Sequence, residues 1–96
     1  RDLWAGYDPP VSDTEPRVTL YSTSFCGYCV AAKRMLERDG VPFQEIDLSR
    51  DPERRMELVA ETGWRTMPLI LIDGELVGGY TELMARRSNQ GLDDLL

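Results

Sequence analysis

The chain has 96 residues, 42% of them hydrophobic, which suits one small domain with its own core and no disulfide staples. No apolar run approaches the roughly 20 residues of a membrane-spanning helix. Seventeen acidic against 11 basic side chains leave a net charge of −6, which argues against nonspecific binding to nucleic acid. With two cysteines and no histidine, one chain makes neither a disulfide scaffold nor a zinc site.

Residues 1–16 follow no helical or strand period. Asp8-Pro9-Pro10 and Glu15-Pro16 read as an extended N-terminal arm or linker. Leu3, Trp4 and Tyr7 make it more apolar than a plain linker. The simpler reading is a tail that packs weakly on its own domain, the sharper one a contact with a partner or an upstream domain.

The folded domain is expected over 17–96. Arg17–Tyr21 is a first strand. It leads into Cys26-Gly27-Tyr28-Cys29, which holds both cysteines of the chain. The residues after it have a helical period. Ala31, Ala32, Met35 and Leu36 share one arc, Cys29 lies at its edge, and Lys33, Arg34, Glu37 and Arg38 fall opposite. Gly40 is a helix stop. Pro42–Leu48 is a second strand. Asp51-Pro52 is an N-cap with proline at the first helical position, and Met56, Val59 and Ala60 are the expected apolar face of the second helix, ended by Gly63.

Pro68–Ile72 is a continuous apolar run, as in a buried strand. Asp73-Gly74 is a hairpin turn, and Glu75–Gly78 is the returning strand. Thr81 is the expected cap of a third helix running through Arg87, and a short turn, Leu92–Leu96, follows Gly91. The order β-α-β-α-β-β-α makes this an α/β chain: a four-stranded mixed sheet with helices on both faces, its first two strands parallel and its last two a hairpin.

A pair of thiols between a strand and a helix points to redox chemistry. A helix N-terminus offers unpaired N–H groups and the positive end of a dipole, and both favour thiolate at Cys26. That sulfur can attack a disulfide, and Cys29, one turn later, is near enough to resolve the mixed disulfide. Two more stretches can support it. Arg65-Thr66-Met67-Pro68 puts a proline where a buried strand begins, and spacing alone leaves its peptide bond cis or trans. Gly78-Gly79-Tyr80-Thr81-Glu82 puts two glycines before a helix start, which reads as a capped turn or as a corner for a carboxylate.

Together these three stretches resemble the glutaredoxin family of thioredoxin-fold redox proteins over about residues 17–96. The resemblance implies that Cys26 is the nucleophile, that Cys29 resolves and that Pro68 is cis. It implies that glutathione, the co-substrate, lies across Tyr28, Arg65, Thr66, Met67, Pro68, Gly79, Tyr80 and Thr81, with Arg65 pairing a carboxylate. The implied enzyme is a thiol–disulfide oxidoreductase acting on protein disulfides and glutathionylated proteins. It is expected in the cytoplasm, as a monomer that binds neither nucleic acid nor membrane.

Three positions depart from the family pattern. Thr23 stands where lysine is frequent, Gly27 where proline is commoner, and Tyr80-Thr81 where a small residue and an aspartate are usual. Thr23 through Cys29 is also similar to mycoredoxins, which serve a different small thiol. Gly27 raises a less favoured alternative: a dimer whose two Cys26 thiolates and two glutathiones hold a [2Fe–2S] cluster. A module that has lost its chemistry is disfavoured, because both cysteines are present.

Overall fold

The computed structural model describes residues 16–96, so all of the expected arm but Pro16 lies outside the described residues. Strand β1 (Val18–Ser22) is followed by helix α1 (Gly27–Arg38), strand β2 (Phe43–Asp47) and helix α2 (Pro52–Thr62). Strands β3 (Leu69–Ile72) and β4 (Glu75–Gly78), helix α3 (Tyr80–Gln90) and a 3-10 turn (Asp93–Leu95) complete the order.

The sheet runs β2-β1-β3-β4. Strand β1 pairs in parallel with β2, Val18 opposite Phe43, and antiparallel with β3, Val18 opposite Ile72. Strands β3 and β4 form the expected hairpin. Asp73 and Gly74 both have positive φ, 55° and 82°, as a two-residue hairpin turn of the tightest type requires. Arg17 clamps that turn from the start of β1, donating to both carboxylate oxygens of Asp73 at 2.8 and 2.6 Å.

Alternation along the central strands builds two cores. Val18 and Leu20 of β1, with Ile70 and Ile72 of β3, pack against Ala32 and Leu36 of α1 and Leu83 of α3. Tyr21 and Leu69, on the opposite face, pack against Leu48 and Leu58. Helices α1 and α3 therefore cover one face and α2 the other, as the sequence pattern predicts.

The inward face of α2 differs from expectation. Leu58 is the buried residue, 1% exposed, whereas Met56 is 72% exposed. Met56, Val59 and Ala60 form a tidy arc on a helical wheel, but the helix is turned to bury its one leucine. Val59 is half-buried and Ala60 exposed. A buried leucine contributes about 2 kcal/mol, more than an alanine can.

The N-cap of helix α3 also lies two residues before the expected one. Gly79 is its N-cap, Tyr80 its first residue, and the helix runs to Gln90, ended by Gly91 at φ 75°. Thr81 lies inside the first turn. The Gly79 N–H instead donates to Glu82 Oε1 at 3.0 Å, so the side chain three residues along reaches back to close the helix start.

Candidate active site

Cys26 is the N-cap of α1, with extended backbone (φ −110°, ψ 104°), and Gly27 opens the helix. The Cys26 sulfur accepts the backbone N–H of Cys29 at 3.2 Å. Its thiol points to the Met67 carbonyl at 3.6 Å, a residue 41 positions along the chain. Phe25, just before it, has φ 58° and a fully exposed ring. The cysteines are both free, and they differ in exposure: Cys26 is half-buried, Cys29 is 1% exposed.

The Cys29 thiol resists ionisation. Burial pushes it up to about 12, and its bond with Cys26 and the charge there add to the rise. The Thr23 backbone and the Lys33 ammonium oppose it.

A cleft of about 490 Å³ opens on one side of the pair. The rings of Tyr28 and Tyr80, both on its lining, lie with centroids 6.2 Å apart and planes tilted by 31°. Thr66, Met67 and Pro68 line it from the loop before β3, and Gly79, Tyr80 and Thr81 from the start of α3. The Met67–Pro68 peptide bond is cis. Seven of the eight expected ligand-binding residues thus share one cleft. Arg65 does not line it and is exposed beside it.

Two cleft residues were not anticipated as ligand contacts, Trp64 and Glu82. Trp64 joins the second core, and its Nε1 is buried with no hydrogen-bond partner among the described residues. Its signal in the sequence is a large aromatic between a helix-ending glycine and the strand-opening proline. Glu82 is announced only by its place three residues after Gly79, the position from which a carboxylate reaches a helix start.

A second cleft, about 460 Å³, lies on the other side of the pair and is lined by both cysteines, Ser22, Lys33, Glu45 and Asp47 among others. Lys33 donates to Glu45 Oε2 at 2.8 Å, and the Ser22 hydroxyl donates to the same oxygen at 2.9 Å. The Glu45 carboxyl is held below its ordinary range, chiefly by the Lys33 bond, and Lys33 is raised by the same bond. The helical wheel expects Lys33 opposite the core, yet its side chain is only 28% exposed. It stands about 40° round the helix from Cys29, so it borders the buried arc and folds over toward β2.

Two free thiols of unlike accessibility, held at the lip of a cleft, have what disulfide exchange requires: one sulfur to meet substrate and a second beside it. The sheet order and helix placement are those of the thioredoxin fold. Comparison with known proteins narrows the class. The glutaredoxin family model matches residues 18–77. The glutaredoxin of Pseudomonas aeruginosa is 44% identical over 81 residues, covering 84% of this chain and 96% of that protein. Glutaredoxin 3 of Escherichia coli K12 is 38% identical over 79 residues, covering 82% and 95%. Among solved structures, the buckwheat glutaredoxin–glutathione complex is similar at a TM-score of 0.78 and 27% identity, covering 84% of this chain and 76% of that one.

The chain belongs to the glutaredoxin family. It is a glutathione-dependent thiol–disulfide oxidoreductase with a CxxC active site. Among the described residues no helix is long and apolar enough to cross a membrane.

Proposed function

We propose that Cys26 is the attacking thiol and Cys29 the resolving one, with glutathione as the co-substrate seated in the cleft between Tyr28 and the start of α3. The observation that carries this reading is the position of the Cys26 sulfur. It caps α1, accepts the Cys29 N–H and faces the Met67 carbonyl on the wall of that cleft. In the first step the Cys26 thiolate attacks a substrate disulfide and expels one thiol. In the second, Cys29 attacks Cys26, releases the other thiol and leaves a Cys26–Cys29 disulfide, which glutathione then reduces.

Met67 can offer backbone groups to a peptide-like ligand, and Thr66, Pro68 and the tyrosine rings flank it. The N–H groups of the first turn of α3, at Tyr80 and Thr81, suit a carboxylate. Glu82 suits an ammonium group, a role left open by the absence of an aspartate after Gly79. Arg65, exposed outside the cleft wall, is assigned to a second carboxylate at the cleft's edge. The substrates are disulfide-bonded and glutathionylated proteins, the compartment is a reducing cytoplasm, and the working form is a monomer. The net charge of −6 supports a reading without nucleic-acid partners.

The decisive measurement is deglutathionylation by two variants. Cys26→Ser is expected to fall to background, and Cys29→Ser to keep activity toward glutathione mixed disulfides. An active Cys26→Ser protein would refute the assignment. Offering the Cys29→Ser protein disulfides of glutathione and of other small thiols tests the preference. Faster capture of another thiol would favour the mycoredoxin-like alternative.

The cluster reading needs four thiolates and hence a second chain with two glutathiones. One observation favours it: a Cβ on Gly27 would meet nothing within 4 Å, so the space beside Cys26 is open. Anaerobic reconstitution with iron and sulfide, read by visible absorption and by size, decides it, and a colourless monomer eliminates the cluster.

A further inference from the structure

The second cleft holds charges that the exchange scheme does not yet use. Cys29 is buried and neutral at physiological pH, yet the second step needs its sulfur as a thiolate. Lys33 follows Cys29 by four residues, so the two side chains are neighbours on α1, and both line the same cleft. The Lys33 ammonium is fixed by Glu45, whose second bond comes from Ser22.

We propose that Lys33, pinned by Glu45 and Ser22, is a positioning residue that acts through Cys29, stabilising its thiolate in the resolving step. The inference rests on Cys29 being the resolving thiol. Glu45 is not the proton acceptor, because the Lys33 and Ser22 bonds make its carboxylate a weaker base. Its part is to hold the ammonium in place.

The groups that bear on Cys29 come from three directions. The β1–α1 loop brings the Cys26 sulfur and the Thr23 backbone, α1 brings Lys33, and β2 brings Glu45 and Asp47 along the cleft. Once Cys26 is tied into a mixed disulfide it carries no negative charge, and its opposition to the Cys29 thiolate ends. Burial is then opposed by the Thr23 backbone and Lys33. In the step itself the Cys29 proton passes to water in the cleft, and the Cys29 sulfur attacks Cys26. The Cys26–substrate S–S bond breaks as the Cys26–Cys29 bond forms. The departing thiolate keeps the electron pair and takes a proton from solvent, so the cysteine pair is oxidised by two electrons and the substrate reduced.

The test uses the whole reduced chain and excess dipyridyl disulfide, a neutral probe that needs no glutathione site. Each attack releases one coloured pyridinethione. Cys26 attack gives the first equivalent and closure by Cys29 the second. In Lys33→Met the first phase is expected unchanged. A rise of about one unit in the Cys29 pKa would lower its thiolate fraction tenfold, and higher intrinsic nucleophilicity recovers part of that. The second phase should therefore slow about threefold near neutral pH, with its pH profile displaced upward by about one unit. Lys33→Arg should restore rate and profile.

A second phase in Lys33→Met with wild-type rate and profile would overturn the proposal. So would equal slowing in Lys33→Met and Lys33→Arg with an unmoved profile, the mark of a merely structural role. A wild-type product that carries two pyridylthio groups by mass, in place of an internal Cys26–Cys29 disulfide, would instead overturn the assignment of Cys29 as resolver, which separates the two failures.

Discussion

The two clefts flanking the cysteine pair are nearly equal in size, about 490 and 460 Å³, and differ in chemistry. The first is walled by tyrosine rings, backbone and a helix start, with Glu82 its one charged side chain. In the second, the charged and hydroxyl groups are already bonded to one another or to neighbouring residues. Lys33 and Ser22 meet on Glu45, Ser24 N–H donates to Ser49 Oγ at 2.7 Å, and Ser49 N–H donates to Asp47 at 2.8 Å. A ligand gains most where donors and flat surfaces await a partner, and least where polar groups would have to exchange existing bonds for new ones. Volume therefore does not choose between the two as a ligand site. The state of the hydrogen bonds does.

The largest expected effect belongs to the second side and is read as stability at alkaline pH. A free cysteine thiol titrates near 9.0, and burial raises Cys29 to about 12. The folded state thus holds the proton more tightly than the unfolded one. Its advantage is complete below pH 9 and is lost as pH rises from 9 through 12, at up to about 1.4 kcal/mol per pH unit. Melting curves of the reduced wild type should fall more steeply over that window than those of Cys29→Ser. Lys33 and Glu45 remain in both proteins, and because a Cys29 thiolate also raises Lys33, the difference between the curves reports Cys29 together with that coupling. Parallel curves would mean that Cys29 is far less shielded than its 1% exposure implies.

The next effect belongs to the first side. Gly78 has φ 125°, and a Cβ there would stand 2.7 Å from Glu82 Cγ. Gly78→Ala is therefore expected to lose about 2 kcal/mol, or about 10 °C in Tm, from strain and from pushing Glu82 off the Gly79 N–H. Its KM for a glutathione mixed disulfide should rise, while closure of the Cys26–Cys29 disulfide, measured at a temperature where the protein is native, stays unchanged. A stability loss with an unaltered KM would remove Glu82 from the ligand side of the comparison.

The difference between the clefts was only partly legible in the chain. Strand alternation, the Asp73-Gly74 turn and the glycine stops are local, and each produced the expected element. The helical wheel separated an outer Cys26 from an inner Cys29 for the same reason. The α2 face misled, because Met56, Val59 and Ala60 make the neater arc, and only packing against Tyr21 and Leu69 chooses Leu58. Thr81 looked like a cap by residue type, but a reaching Glu82 took that task. Met67 meets Cys26 across 41 positions, a distance no local pattern spans; a resemblance to a family supplied it. Lys33 was hidden by its type, since a lysine beside an apolar arc reads as solvated until β2 brings Glu45 beneath it.

Gly27 lines the second cleft at the start of α1, and the smallest effect tests whether it also serves the attacking sulfur. It opens α1, where proline is well tolerated because the first helical N–H has no intrahelical partner. A Cβ there meets nothing within 4 Å, and Cys26 already has the extended backbone that a following proline demands. The hydrogen bond to the Cys26 sulfur comes from Cys29, not from Gly27. Gly27→Pro should therefore stabilise the fold by about 0.4–1 kcal/mol through a less flexible unfolded chain, raising Tm by about 2–6 °C. Both phases of dipyridyl disulfide reduction should stay within about twofold of wild type, since a shift of that size is below half a kcal/mol. A tenfold slower first phase with the Tm gain intact would show that the Gly27 N–H serves the attacking sulfur directly, and the division of labour between the two sides would then run through the helix start itself.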